Sequence, residues 1–527
     1  MSDIVINVEQ GALRGIKEKT YKGDIYYSFK GIPYAKPPLG KLRFRAPQPP
    51  EPWKGILDAT EHRDKCVQCD IAQRKPELIG SEDCLYLNVY TLEDPREANG
   101  RAKPVMVWIH GGAFCVGSGH SDECGPDYLI TKGVIIVTLN YRLGVFGFLR
   151  VDEPSVGIPG NAGMKDMVMG LRWVKENISK FGGDPNNITI FGVSAGGCAV
   201  HFLTLSPLAK GLFNQAIVQS GSALSFWSLI PPDVKPLHEL AKALGIQNQD
   251  EKAIVHEIEK LSAEELLQPQ LQMFAFGGPM MFAPTIEKPS KEPAFLLDHP
   301  INIIKSGKFN QVPTIFGYTS REGMLLALPG SKFIKDYEDF VPFNLGFTKG
   351  SSKSKEIGVK IGQYFYGGKE PSTENIDIAF TIYTDTCFLN GIYEAIKESI
   401  KVSPENIYLY RFSLEGRITF VKSMLRLTLP GVCHGDDVPY MLRLAAVPLQ
   451  INPNSLEGIA IERYTTLLTN FAKYGNPNPK QESDLINVEW KPVQRDQFNF
   501  LEFGENLTVG VNPDWRRIKF WEEALKL

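Results

Sequence analysis

Residues 188–196 read ITIFGVSAG. A run of β-branched and aromatic residues leads directly into a G-x-S-x-G pattern, and small residues follow. This order is typical of a strand that ends in a sharp turn and lifts a serine above the sheet at a helix N-terminus. Gly192 and Gly196 let strand and helix approach closely, and the turn strains the serine. The five residues alone are a weak signal, but together with their flanks they predict Ser194 as a catalytic nucleophile.

The amino-acid composition indicates a globular protein and argues against a nucleic-acid partner. The 527 residues include 43% hydrophobic residues, enough for a large core. The formal net charge is −3 with both signs mixed throughout, so no basic surface for nucleic acid is expected. We find no linker, repeat or low-complexity tract, and residues 1–527 are therefore predicted to form a single domain.

The N-terminus and the cysteines bear on the cellular compartment. The chain runs directly into the alternating residues 4–8, without the pattern of a signal peptide, although a signal trimmed beforehand would look the same. No apolar run is long enough to cross a bilayer. We expect a cytoplasmic protein with no transmembrane segment. Cys66-x-x-Cys69 lacks a second ligand pair at zinc-binding spacing, so no metal site is predicted.

Strand and helix patterns alternate along the first half of the chain. The helical spacing is clearest at 162–180, and strands are expected at 85–91, 104–109, 134–140, 188–191, 214–219, 312–317 and 407–412. Several strands are continuous apolar runs, as in parallel strands buried on both faces. The sequence predicts an α/β fold with a large, mostly parallel sheet and helices on both faces. Regions 230–310 and 330–400 read as helical insertions over the strand ends, where ligands enter such sheets.

A nucleophilic serine needs a base, which follows it in the chain order of this architecture. Histidines that follow Ser194 by more than a helix length are His238, His256, His299 and His434. His434 lies in the glycine-bounded loop GVCHGDD (431–437), which suits a base that reaches over a sheet edge. From position alone, a structural role in the loop is equally good.

The acid that orients the base is harder to place. Glu322 lies in GYTSREG (317–323), just past a predicted strand, where side chains point into the site of such a sheet. A surface glutamate in a turn fits the same residues. The other candidates are Asp166, Asp385, Asp436 and Asp437.

The segment HGGAF (110–114) directly follows a predicted strand and matches the HGGG-type loop that supplies oxyanion-binding N–H groups. The N–H of Ala195 is expected to add a donor. A phosphate-binding loop is the rival interpretation, and it fails because the Gly-Lys-Ser/Thr signature is absent.

Further motifs span almost the whole chain in order. They are FKGIPYA (29–35), SEDCLYLNV (81–89), GNAG (160–163), FGGDP (181–185) and FAKYGNP (471–477). Together they resemble the type-B carboxylesterase/cholinesterase family, and most of all the insect intracellular carboxylesterases. The resemblance implies an α/β-hydrolase fold with Ser194 as nucleophile, Glu322 as acid and His434 as base. It also implies Gly112, Ala113 and Ala195 as oxyanion donors, with no cofactor or metal required.

Departures from the family pattern bear on the substrate. Val193 stands where the family commonly has glutamate, so the pocket floor is expected to be more apolar, and Ala113 replaces a third glycine. The segment between Cys66 and Cys84 has no aromatic residue, where cholinesterases carry a choline-binding tryptophan. Secreted relatives bridge these two cysteines. We expect them to stay reduced here, because the N-terminus indicates the cytosol.

Trp227 resembles the acyl-pocket tryptophan of the family, and a buried core aromatic is an equally good interpretation. Phe388 and Val193 are the other predicted pocket residues. The expected function is hydrolysis of neutral, hydrophobic carboxyl esters through an acyl-enzyme, in detoxification of xenobiotics or insecticides. Organophosphates would inhibit it covalently, and a monomer or weak homodimer is expected. The alternatives are a juvenile hormone or odorant esterase, and a non-catalytic binding or sequestering protein on the same fold.

Overall fold

The computed structural model describes residues 4–70, 77–97, 101–273, 280–289, 292–328, 331, 334–447, 451–481 and 483–525. Its strands are β1 Ile4–Val8, β2 Gly11–Lys19, β3 Ile25–Pro33, β4 Ile56–Asp58, β5 Gln68–Asp70, β6 Glu77–Ile79, β7 Tyr86–Thr91, β8 Lys103–Ile109, β9 Ile135–Leu139, β10 Gly183–Val193, β11 Gln215–Gln219, β12 Thr314–Thr319, β13 Ile407–Phe412, β14 Asn499–Phe503 and β15 Leu507–Val511.

The helices lie between and after these strands. They are α1 Gly144–Phe148, α2 Ala162–Asn177, α3 Ala195–Leu205, α4 Lys235–Ala243, α5 Glu251–Ile258, α6 Ala263–Met273, α7 Pro300–Ser306, α8 Ser352–Tyr366, α9 Ile376–Tyr383, α10 Asn390–Val402, α11 Val421–Met424, α12 Leu456–Tyr474 and α13 Trp515–Ala524. A 3₁₀ helix spans Glu322–Ala327, and a π-helical turn spans Thr384–Leu389.

One large mixed sheet forms the centre of the described part of the chain. Its order is β1-β2-β3-β7-β9-β8-β10-β11-β12-β13-β14-β15, and β4 pairs with β2. The strands from β9 to β14 in this order are mutually parallel. The strands from β1 to β7 and the last strand, β15, pair antiparallel with their neighbours in the order. The predicted α/β-hydrolase fold is confirmed, with antiparallel additions at both edges.

Alternate residues of the central strands enter two separate cores. In β8, Val105, Val107 and Ile109 join the core that contains residues of α2 and α3. Met106 and Trp108 of the same strand join the core that contains residues of α12. This alternation explains the continuous apolar runs, because each strand is covered by helices on both faces.

The predicted strands are all present, with shifts at their ends. The largest difference is in β10, which begins at Gly183 rather than at Ile188. The residues in between are polar, so the apolar pattern does not reveal them, although Gly183 pairs with Lys103 of β8. Both predicted insertions contain helices, with α4 to α7 after β11 and α8 to α10 after β12.

Cys66 and Cys84 form a disulfide with their Cα atoms 4.9 Å apart, so the expectation that they stay reduced is wrong. That expectation came from the N-terminus, whereas the pairing depends on how the chain folds. Both residues are buried, and Cys84 directly precedes the residues that lead into β7. In the described residues, no helix combines the length and apolarity needed to cross a membrane.

Candidate active site

Ser194 lies in the turn between β10 and α3 with φ 60° and ψ −127°, a conformation rare for a residue with a side chain. Its N–H donates to the carbonyl of Gln219 at the end of β11 (2.9 Å). Its carbonyl accepts from Cys198 in the first turn of α3 (2.8 Å). The strained turn predicted from the sequence is therefore present, and Ser194 is partly accessible to solvent.

The glycines on either side of Ser194 are required by close backbone contacts. A Cβ atom placed on Gly192 would lie 2.5 Å from the carbonyl oxygen of Ile109, and one on Gly196 would lie 2.1 Å from the same atom. Neither distance is compatible with a side chain unless the backbone moves. The approach of α3 to the end of β8 therefore needs both glycines.

Glu322 and His434 are in direct contact. Nδ1 of His434 lies 2.5 Å from Oε2 of Glu322, and the other carboxylate oxygen of Glu322 accepts from the N–H of Thr319 (2.7 Å). The Glu322 side chain is fully buried, and His434 is 6% exposed. This geometry orients the imidazole, because the carboxylate fixes one ring nitrogen and leaves Nε2 for another partner.

Neighbouring strands bring Ser194 and Glu322 to one edge of the sheet. Val193 pairs with Gln219, and Gln219 pairs with Gly317, so β10, β11 and β12 end side by side. Ser194 follows the first of these strands, and Glu322 follows the third. Parallel strands place their carboxyl ends at the same edge, which is where ligands bind in open α/β sheets.

The loop that carries His434 is attached to the loop that carries Glu322. The N–H of Arg321 donates to the carbonyl of Val432 (2.9 Å), and Arg321 and Cys433 form a parallel β-bridge. Each of the two bridged residues directly precedes one of the two catalytic candidates, and this bridge sets the distance between carboxylate and imidazole.

The other acid candidates are engaged elsewhere. Asp166 bonds the Arg142 guanidinium, and Asp436 accepts the backbone N–H groups of Phe420 and Val421. Asp385 bonds side chains of α13, and Asp437 accepts from the hydroxyl of Tyr464.

The other candidate histidines also lie away from Glu322. His238 is in α4, His256 is in α5, and His299 caps the N-terminus of α7. Each therefore belongs to the helical insertion after β11, at a position that agrees with an ordinary structural or solvent-facing histidine.

The predicted oxyanion loop, residues 110–114, passes directly beside the serine. A Cβ atom placed on Gly111 would lie 3.2 Å from Cβ of Ser194. Gly112 and Ala113 both have positive φ values, 107° and 53°. In the described part of the chain, the N–H groups of Gly112, Ala113 and Ala195 have no protein acceptor. These three donors are available to a ligand at the serine.

His110 packs against Tyr141 and contacts the backbone of this loop, a role that the sequence motif does not predict. Its ring stacks on Tyr141 at 4.3 Å, and the Tyr141 hydroxyl donates to the His110 carbonyl (2.9 Å). Nδ1 of His110 lies 2.8 Å from the carbonyl oxygen of Gly111. Burial lowers the pKa of His110 to about 4, so its ring is neutral at physiological pH.

Aromatic rings form one wall beside His434. The ring of Phe388 lies 4.7 Å from the His434 ring and 6.1 Å from the ring of Trp227. The Trp227 indole N–H donates to the carbonyl of Cys387 (2.9 Å). One predicted pocket residue, Phe388, is therefore a neighbour of the candidate base, and a second, Trp227, packs against Phe388.

Val193, the third predicted pocket residue, is mostly buried. It is 8% exposed and belongs to the core that contains Trp108 and Phe191. Its Cγ1 atom lies 3.4 Å from the position of a Cβ on Gly111, next to the oxyanion loop. An apolar group therefore borders the site at the position of the commonly found glutamate.

A second buried carboxylate lies near the Glu322–His434 pair. Oδ2 of Asp437 accepts from the hydroxyls of Tyr464 (3.0 Å) and Tyr410 (3.3 Å). Burial raises the pKa of Asp437 to about 6, and the charge of Glu322 adds to this effect. The sequence identifies Asp437 as a candidate acid, but it does not predict this hydrogen-bond network, because the two tyrosines lie on β13 and α12, far from Asp437 along the chain.

Comparisons with known proteins agree with this geometry. Residues 2–521 match the model of the Carboxylesterase family. The chain is 33% identical to juvenile hormone esterase of Tribolium castaneum over 93% of this chain and 86% of that protein. It is 32% identical to esterase FE4 of Myzus persicae over 95% of this chain and 90% of that protein.

A solved structure extends the similarity to the fold. The crystal structure of juvenile hormone esterase from Manduca sexta, with OTFP covalently attached, aligns over 100% of both chains with a TM-score of 0.88 and 29% identity. The match to the family model covers nearly the whole chain, and the relatives match over most of their own length. The protein is therefore a carboxylesterase, a member of the Carboxylesterase family.

Proposed function

We propose that the protein hydrolyses neutral, hydrophobic carboxyl esters with Ser194 as nucleophile, His434 as base and Glu322 as orienting acid. The observation that carries this proposal is the contact between His434 Nδ1 and Glu322 Oε2 (2.5 Å), at the sheet edge where Ser194 follows β10. Because Glu322 occupies Nδ1, Nε2 remains to accept the serine proton.

The reaction proceeds in two halves. Ser194 Oγ attacks the ester carbonyl carbon while His434 takes the hydroxyl proton, and the N–H groups of Gly112, Ala113 and Ala195 bind the resulting oxyanion. The proton then passes from His434 to the departing alcohol, which leaves an acyl-enzyme. Water, activated by the same imidazole, hydrolyses the acyl-enzyme and restores the serine.

The apolar surroundings support a neutral substrate. Phe388 lies beside His434, Trp227 packs against Phe388, and Val193 replaces a carboxylate that would attract cations. These features suit detoxification of xenobiotic esters, and they also suit organophosphates as covalent inhibitors. Profiling kcat/KM across acyl chain lengths tests this preference, and we expect short and medium acyl groups to react fastest.

Covalent labelling tests the nucleophile. Treatment of the purified protein with an organophosphate should add one phosphoryl group to the peptide that contains Ser194, with parallel loss of esterase activity. Full inhibition with an unmodified Ser194, as seen by peptide mass spectrometry, would contradict the proposed nucleophile.

A juvenile hormone ester is the second candidate substrate, because two of the similar proteins are named juvenile hormone esterases. The comparison of kcat/KM for juvenile hormone with that for short aryl esters decides between the candidates. A large preference for juvenile hormone would replace the detoxification proposal with a hormone-degrading role, while leaving the catalytic residues unchanged.

A further inference from the structure

The helical insertion after β12 contains an irregular turn next to the candidate site. Between α9 and α10, Thr384–Leu389 adopts π-helical geometry, and the N–H of Asn390 donates to the carbonyl of Asp385, five residues earlier. Such turns are rare, because the α-helical register is normally preferred. Where they do occur, they are frequently at functional sites. A one-residue change of register would rotate the following side chains by about 100°.

This turn positions the aromatic wall. Phe388, within the turn, has its ring 4.7 Å from His434, and the Cys387 carbonyl accepts the indole N–H of Trp227 (2.9 Å). The start of the turn contacts the residue that follows the acid, because the hydroxyl of Thr384 accepts the N–H of Gly323 (2.9 Å). The register of one turn therefore affects base, acid and pocket together.

A buried carboxylate ties the turn to the C-terminal helix. Asp385 has no exposed surface, and its carboxylate accepts from Arg517 Nε (3.0 Å) and from the indole N–H of Trp521 (3.1 Å). Both donors lie in α13. These two hydrogen bonds are directional. They hold the side chain of Asp385, the same residue whose carbonyl accepts the i to i+5 hydrogen bond from Asn390.

Stability alone does not explain this carboxylate. Burial raises the pKa of Asp385 to about 6 even though Arg517 lowers it, so the cost of desolvation is not fully offset. Buried ion pairs commonly contribute no more stability than apolar side chains of similar volume. What the ion pair adds is a fixed position for the π-helical turn.

We propose that Asp385 is a positioning residue that sets acyl-chain preference: its contacts with Arg517 and Trp521 hold the π-helical turn in the register that places Phe388 beside His434 and against Trp227. The inference rests on the proposed function, since it concerns the pocket of that same site. It makes the C-terminal helix a determinant of specificity, although α13 contributes no catalytic group.

The test compares three variants of the full chain. Asp385→Asn keeps the shape of the side chain but removes its charge, and Arg517 stays paired with Asp514 (3.0 Å). Arg517→Gln removes the same ion pair from the partner side and serves if Asp385→Asn does not fold. Lys397→Met is the matched control, because the Lys397–Glu522 pair (2.8 Å) also ends on α13 but starts from α10 and does not involve the turn.

Two readouts are measured on each variant: the ratio of kcat/KM for a butyrate over an acetate aryl ester, and the amide exchange rate of Asn390. We expect Asp385→Asn to change the ratio about tenfold or more, the scale on which pockets discriminate methylene groups. Exchange at Asn390 should accelerate about tenfold, because the local opening becomes easier. Lys397→Met should match the wild type in both.

Unchanged ratio and unchanged exchange in Asp385→Asn, or in Arg517→Gln if that variant is used, would overturn the inference. An equal change in Lys397→Met would also overturn it, by showing that any weakening of the α10–α13 contact has the same effect. Absence of ester hydrolysis in the wild type would instead refute the proposed function. The exchange rate of Asn390 would still test whether the contacts of Asp385 with α13 hold the π-helical turn.

Discussion

The glycines on either side of Ser194 leave no room for a side chain. A Cβ on Gly196 would lie 2.1 Å from the carbonyl oxygen of Ile109. Gly196→Ala should therefore lower the free energy of unfolding by about 3 kcal/mol or more, since the overlap involves backbone atoms. Gly504→Ala is the control, because its Cβ would meet its nearest atom at an ordinary 3.5 Å. Urea denaturation measures both, and equal stability of the two variants would contradict the steric account.

The contact between Glu322 and His434 predicts a specific catalytic defect. Glu322→Gln keeps the shape of the side chain, but its amide favours the wrong imidazole tautomer, so kcat should fall about a thousandfold with little change in KM. Glu489→Gln, at a side chain that is 75% exposed, is the control. A Glu322→Gln protein with the wild-type kcat would show that Glu322 does not orient the base.

Asp437 predicts a pH-dependent change in stability. Its pKa is about 6 in the folded protein, above the usual 3.8, so the folded state holds its proton more tightly than the unfolded state. Ionisation of this carboxyl therefore lowers the free energy of unfolding as the pH rises from about 3.8 to about 6. Below about pH 3.8 the carboxyl is protonated in both states and has no such effect. Asp437→Asn removes the titration, and its free energy of unfolding relative to the wild type should rise by up to about 3 kcal/mol between about pH 4 and pH 7. A difference that stays constant with pH would contradict the assignment.

Secondary structure and the serine turn could be read from local sequence, because each depends on neighbouring residues. The apolar runs reveal β8, β9 and the second half of β10, and G-x-S-x-G reveals the turn at Ser194. The pairing of Glu322 with His434 joins residues 112 positions apart, so spacing does not select one acid from several, and only the family resemblance singles out Glu322. The contact between Asp385 and Arg517 spans 132 positions, and nothing local indicates it.

The expectation that Cys66 and Cys84 stay reduced is wrong, and their disulfide leads to a prediction about stability. Cys66 and Cys84 close a loop with a sequence separation of 18, so removing the bond should cost about 3 kcal/mol of stability. The double variant Cys66→Ser/Cys84→Ser should show this loss in urea denaturation, and a reductant should reproduce it in the wild type. If the reductant changes neither stability nor thiol count, the bond is not formed in the purified protein.

At the scale of the whole molecule, one sheet connects the N-terminal and C-terminal parts of the chain. It begins at β1 and ends with β14 and β15, so the described residues share one framework, which supports the proposal that 1–527 is a single domain. The cytoplasmic location stays a prediction. Because disulfides persist in oxidising compartments, the redox state of Cys66 and Cys84 in protein isolated from its native source bears directly on it.

The central claim is that Ser194 carries out ester hydrolysis in this sheet, and turnover by Ser194→Ala tests it most directly. With a short-chain aryl ester, kcat of this variant should fall about a thousandfold or more relative to the wild type, since the nucleophile is lost while the oxyanion donors remain. Circular dichroism should show the wild-type fold. A folded Ser194→Ala protein that hydrolyses the ester at the wild-type rate would contradict the account.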